Sequence, residues 1–185
     1  MITPILSHTE AQAYQTFLAL MWALTHPGRS QTWTETQAST HDGFLAIGQA
    51  LLDLETSFYT PDTVLADELA HTTARPLAAD SARYHFYPSL TEANLNDMTQ
   101  ASPGTMLYPD LAATIVIGCT FGHGETHRLT GPGIETETIV RLDGLPHQFW
   151  QLRQQSQNYP LGWDILLVDG TQVMGLPRTT VVSNQ

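Results

Sequence analysis

The alternation of apolar and polar positions divides this chain into short segments with glycine and proline punctuation between them. Behind Ser7-His8-Thr9-Glu10, which has capping-box spacing, Tyr14, Phe17, Leu18, Met21, Trp22 and Leu24 recur at helical period. They predict an opening helix with one broad apolar face, ended by Pro27-Gly28 because proline cannot continue the hydrogen-bond ladder. Gln31 to Thr40 is polar and threonine-rich and reads as a loop or short strand. Phe44, Leu45, Ile47, Leu51 and Leu52 predict the inward face of a second helix from about Asp42 to Leu54.

Further along, Glu55 to Tyr59 alternates as a strand does, and Pro61-Asp62 opens a short helix through Val64, Leu65 and Leu69. Tyr84 to Tyr87 reads as a strand and Leu90 to Met98 as another short helix. Ala113-Thr114-Ile115-Val116-Ile117-Gly118 is a continuous apolar run with β-branched residues, the pattern of a strand covered on both faces. Gly122-His123-Gly124 then predicts a turn, followed by a strand ending at Thr130 and another from about Glu137 to Leu142. Pro146 to Gln155 reads as a helix burying Phe149, Trp150 and Leu152. Asp164 to Val168 and Gln172 to Met174 predict a hairpin whose Asp169-Gly170 suits a type I′ turn. Helices alternating with strands define a single α/β domain over residues 1–185 on a mixed sheet, with neither repeat nor linker.

Composition narrows the chemistry. All seven basic residues are arginines, and against eighteen acids they leave a net charge of −11. A surface so charged repels nucleic-acid phosphates, so nucleic acid is not an expected partner, whereas a basic protein surface would be drawn to it. No window reaches the roughly 18 apolar residues of a membrane span. The N-terminus lacks the pattern of an export signal, and Cys119 as lone cysteine suits a reducing compartment, so the cytoplasm is the expected location.

Several residues invite functional readings. Gly131-Pro132-Gly133 could bring backbone amides close to an anion or simply make a tight connection; no phosphate-loop pattern surrounds it. Arg178, within Leu176-Pro177-Arg178-Thr179-Thr180, presents a planar fork suited to a phosphate or carboxylate, or to an ion pair with one of the acids. Gly131, Gly133 and Arg178 are the candidate anion site. Cys119, His123 and His127 fall at four-residue intervals, but the glycines among them argue against a helix that would align them, and no metal site is expected. No Gly-x-Ser-x-Gly elbow accompanies His26, His71 or His85, and Asp53 with Glu55 is a commonplace surface spacing, so no catalytic residue is assigned.

The order of these blocks resembles the PhnH family, the H subunit of the bacterial carbon–phosphorus lyase machinery. The likeness rests on Ala19 to Arg29 with its His26-Pro27-Gly28-Arg29 turn, on Leu51 to Thr56, on His71-Thr72-Thr73-Ala74, and on three tail segments: Leu129 to Glu135, Pro160 to Gly170 and Leu176 to Thr180. At Thr73 that family tends to carry glycine, and at His26 arginine. The resemblance implies a three-layer α/β/α fold like the large domain of type I pyridoxal-phosphate transferases, without the cofactor. A chain without lysine cannot form that cofactor's Schiff base in any case. The resemblance further implies assembly with the G, I and J subunits, which together install a phosphonate on the ribose of ATP. The H subunit would be structural or co-catalytic. A homodimer is expected in isolation, because an exposed strand edge or helix face kept for a partner can pair with itself. The alternative is an independent binding module or enzyme for a phosphorylated ligand.

Overall fold

The computed structural model describes residues 8–33 and 39–184. The capping residue Ser7 and most of the polar segment after Thr32 lie outside them. Helix α1 (His8–Thr25) leads into strand β1 (Ser30–Thr32) and helix α2 (Thr40–Leu51). Ser39 caps α2 reciprocally: its hydroxyl accepts from the Asp42 amide while the Asp42 carboxylate accepts from the Ser39 amide. Strands β2 (Ser57–Tyr59), β3 (Arg75–Pro76) and β4 (Tyr84–Tyr87) alternate with helices α3 (Thr63–Leu69) and α4 (Leu95–Thr99). Strand β5 (Thr114–Gly118) is followed by β6 (Thr120–Thr130), β7 (Thr138–Asp143), helix α5 (His147–Ser156), and strands β8 (Asp164–Asp169), β9 (Gln172–Leu176) and β10 (Val181–Asn184).

Seven strands form a mixed sheet in the order β1-β9-β8-β5-β4-β2-β3. Strands β8, β5, β4, β2 and β3 run parallel, while β9 returns antiparallel to β8 and β1 pairs antiparallel to β9. The central strands bury alternate side chains on opposite faces. Ile115, Ile117, Ile165, Leu167, Met174 and Leu176 join Phe149 and Trp150 of α5 and Leu95 and Met98 of α4. Val116, Leu166, Val168 and Val173 join α1, α2 and α3 through Leu20, Phe44, Ile47, Leu65 and Leu69. The run around Ile115–Ile117 is therefore apolar throughout because both its faces are covered, as the pattern predicted.

Four expectations change. Strands β6, β7 and β10 leave the main sheet for a three-stranded antiparallel sheet, packed by Leu129, Val140 and Leu142 onto the α5 face. Gly122-His123-Gly124 is no connecting turn: it is an irregularity within β6, where the register against β7 shifts between Phe121 and Glu125. The β8–β9 hairpin forms, but only Gly170 of its two loop residues takes a positive φ, which fits a type II′ turn. On α1 the broad apolar face is divided: Leu24 packs on the core and Trp22 is half-buried, while Tyr14, Phe17, Leu18 and Met21 are 39–53% exposed, and Thr16, Ala19, Leu20 and Ala23 are the buried residues. Small residues win the inner face because α1 crosses close over β9, where Gly175 faces the backbone of Ala23 and Leu24.

Candidate functional site

The glycine- and proline-rich segments meet in space. Residues 177–180 form the corner at which the chain leaves β9 of the large sheet and enters β10 of the small one, closed by the Thr180 amide donating to the Pro177 carbonyl at 2.9 Å. Gly131 and Gly133 both take positive φ, +132° and +84°. A Cβ at 131 would come within 2.7 Å of the Thr179 carbonyl oxygen, and one at 133 within 2.6 Å of the Thr25 carbonyl oxygen. The turn therefore wedges between the sheet-to-sheet corner and the end of α1. The close approach at both glycines is to the chain's own carbonyls, as in the reading of this turn as a tight connection.

Arg178 sits on that corner and is largely committed. Its Nε and Nη2 donate to the two oxygens of Asp164 at 2.6–3.3 Å, and its Nη1 donates to the carbonyls of Pro109 and Pro160 at 2.7 and 3.2 Å. The Arg178 amide also donates to Asp164 Oδ1 at 2.9 Å. This is an intrachain ion pair with 17% and 26% of the two side chains exposed. The remaining face of Arg178 borders a depression of about 560 Å³ shared with Pro132, Thr179, Gln157 and Tyr159. Of the 131–133 turn, Pro132 borders this depression together with Arg178.

A second arginine, Arg153 on α5, completes the corner. It is 2% exposed. Its Nη2 donates to the carbonyls of Pro177 and Thr180 at 2.9 and 3.0 Å, and its Nη1 donates to Gln157 Oε1 at 3.2 Å. Gln157 Nε2 in turn donates to the carbonyls of Arg178 and Thr180. Burial lowers the Arg153 pKa to about 10, with Asp164 opposing, so it remains a cation at neutral pH. Sequence reasoning passed over Arg153, although the signal was legible: it lies four and three residues after Phe149 and Trp150, on the face predicted to be buried.

A separate ring cluster lies where the crossovers change direction, β2 leading to β3 on one side and β4 to β5 on the other, a place that binds ligands in many open sheets. The Tyr59 hydroxyl donates to Asp97 Oδ2 at 2.7 Å. His85 Nε2 approaches the Ala82 carbonyl at 3.3 Å and its Nδ1 the Tyr87 hydroxyl at 3.4 Å, so Nε2 carries the proton. Burial lowers His85 to about 4, and burial with Asp97 raises Tyr59 to about 12. Burial also raises Tyr87 well above the ordinary phenol range. All three rings stay neutral near pH 7, so none supplies a proton acceptor or donor tuned to that pH.

The remaining candidates stay apart. The Cys119 thiol is raised to about 12 by burial, His123 sits in the β6 irregularity, and His127 is buried against Trp150 with ring centroids 4.1 Å apart. Among the described residues no group of three His, Cys, Asp or Glu side chains could hold a metal ion. His26 stacks on Trp22 at 4.3 Å. No helix among the described residues is long and apolar enough to cross a membrane.

These features define a mixed α/β protein whose distinctive construction is an arginine-pinned corner joining two sheets. A family model described as bacterial phosphonate metabolism protein (PhnH) matches residues 4–183. The chain belongs to the PhnH family. It is 31% identical over 172 residues to a protein of Stutzerimonas stutzeri named putative C-P lyase subunit protein HtxG, covering 90% of this chain and 84% of that one. It is 30% identical over 108 residues to alpha-D-ribose 1-methylphosphonate 5-triphosphate synthase subunit PhnH of Rhizobium meliloti (strain 1021), covering 57% and 53%.

Proposed function

We propose that this chain is a subunit of a carbon–phosphorus lyase complex in phosphonate utilisation, working with G, I and J subunits in the cytoplasm. Its role is structural or co-catalytic, supporting transfer of a phosphonate to the ribose of ATP. The observation that carries this reading is the match to a relative named as such a subunit across nine-tenths of this chain. The composition agrees with dependence on partners: there is no lysine amine for Schiff-base chemistry, and one thiol cannot hold an iron–sulfur cluster. The single-domain, three-layer arrangement, with its likeness to the large domain of type I pyridoxal-phosphate transferases, belongs to this proposal. Its support is the pair of apolar cores on opposite sheet faces.

In isolation the chain forms a homodimer through α1. The row Tyr14, Phe17, Leu18 and Met21 is exposed, and no charged residue occurs from Ala11 to Thr25, so two acidic copies can meet there without opposing carboxylates. Co-expression of the tagged chain with G, I and J subunits tests the main reading. A co-eluting assembly is expected, together with no turnover of methylphosphonate and ATP by the chain alone. Turnover by the isolated chain, or elution without partners when all three are present, would refute it.

The alternative, an independent module for a phosphorylated ligand held by Gly131, Gly133 and Arg178, draws its support from the depression that Pro132 and Arg178 share. Calorimetry with phosphate decides it, since binding must vanish in Arg178→Ala.

A further inference from the structure

The corner carries an unbalanced charge. Arg153 and Arg178 gather around one carboxylate, Asp164, which Arg178 engages with both Nε and Nη2. Among the described residues no carboxylate lies within 4.0 Å of Arg153, which is satisfied by carbonyl and amide oxygens alone. Among the described residues its Nε has no partner, and neither does the buried Thr180 hydroxyl beside it. A buried cation without a counter-charge is costly, and the cost is unexpected in a chain with eighteen acids to spare.

A cavity of about 330 Å³ opens beside Arg153, between α5 and β10. His147, Gln151, Gln154 and Ser183 line it with N–H and O–H donors, and Trp150 gives it an apolar wall; among the described residues no acidic side chain lines it, and the Glu125 carboxylate stands 3.9 Å from His147 Nδ1 at its edge. We propose that this cavity is an anion site, accepting the phosphate or phosphonate group of a small molecule with Arg153 as its fixed charge. Donors reach the space from a helix on one side and a strand on the other. That arrangement suits a tetrahedral group with three oxygens better than a planar carboxylate with two. Gln157 already bridges Arg153 to the corner, so an anion here would also brace the junction of the two sheets. The site is distinct from the Arg178 depression, and it does not rest on membership of a complex.

Titration of the full chain by calorimetry and ³¹P NMR tests it, with inorganic phosphate, methylphosphonate and acetate as probes. Saturable binding of the two phosphorus anions, and not of acetate, is expected. Arg153→Gln should weaken it at least about tenfold, the loss of one charge-assisted contact. Because Arg153 also holds the corner, its variant could fail to fold. Gln151→Leu and Ser183→Ala, at exposed positions on the rim, then decide: each should weaken binding several-fold with an unchanged melting temperature. Absence of saturation by about 10 mM ligand overturns the proposal. So does unaltered affinity in the rim variants. Acetate binding as tightly as phosphate would make this a carboxylate site, as for an acidic side chain of a partner. Loss of phosphate binding in Tyr159→Ala, which lines only the neighbouring depression, would move the site there. Co-elution with partner subunits is a separate readout, so failure here leaves the complex reading standing.

Discussion

At residue scale, Thr73 is the one non-glycine position among the described residues with a left-handed backbone, at φ +68°. It ends the short 3-10 turn of residues 70–72, its amide donating to the Ala70 carbonyl at 3.2 Å. A β-branched residue there is strained by about 1–2 kcal/mol, and glycine gives back part of the relief as chain entropy. Thr73→Gly should therefore stabilise by about 0.5–1 kcal/mol and raise the melting temperature by about 1–4 °C. A fall in calorimetric melting temperature would show that the strain is absent. Asp164→Asn works in the opposite direction. It leaves Arg178 without its carboxylate partner and should cost about 2–3 kcal/mol in urea unfolding, less than the roughly 3–5 kcal/mol of a fully buried pair because this one is partly exposed. His85 adds a pH dependence. Its pKa falls from the ordinary 6.5 to about 4 in the folded chain, so the unfolded chain binds the extra proton between those values. Stability is then full above about pH 6.5 and declines as pH falls toward 4, by about 3 kcal/mol in all. His85→Phe should flatten the change in melting temperature between pH 7 and pH 4.5; an unchanged slope would assign the acid sensitivity elsewhere.

At the scale of elements, legibility followed the range of the information. The β5 run, the α5 face and the β8–β9 hairpin were readable because their patterns depend on neighbours a few residues away. The second sheet was not, since β10 pairs with β6 from some fifty residues off, His127 opposite Asn184, and β10 is too short to announce a partner. The candidate site was half readable: glycine punctuation marked the corner, yet the pairing of Arg178 with Asp164 needs β8 and the 177–180 turn in place first. On α1, the helical period was legible but not which side is buried, because Leu20 with small Thr16, Ala19 and Ala23 packs closer to β9 than the larger row can. The outward row makes a prediction of its own. Leu18→Asp should turn the proposed homodimer into a monomer by sedimentation, while the melting temperatures of the two chains, compared at a dilution where both are monomeric, stay within about 2 °C, since the side chain is 42% exposed. A dimer that survives the substitution would place the self-contact on another element.

At the scale of the whole molecule, charge and the apolar row act with opposite dependence on salt. Two copies each bearing −11 repel over roughly 10 Å at 0.1 M ionic strength, while contact between uncharged α1 faces involves no ion pair for salt to weaken. Raising sodium chloride from about 0.05 to about 0.5 M shortens the screening length more than threefold. The proposed homodimer should consequently tighten with added salt, its equilibrium shifting toward dimer in sedimentation runs at fixed protein concentration. Association with a basic partner surface has the reverse sign, because there the field that salt removes is attractive and accelerates encounter. The two trends can be followed on one preparation. A homodimer that loosens with salt would mean that charged groups meet across its interface, and the uncharged stretch of α1 would then be excluded as the contact.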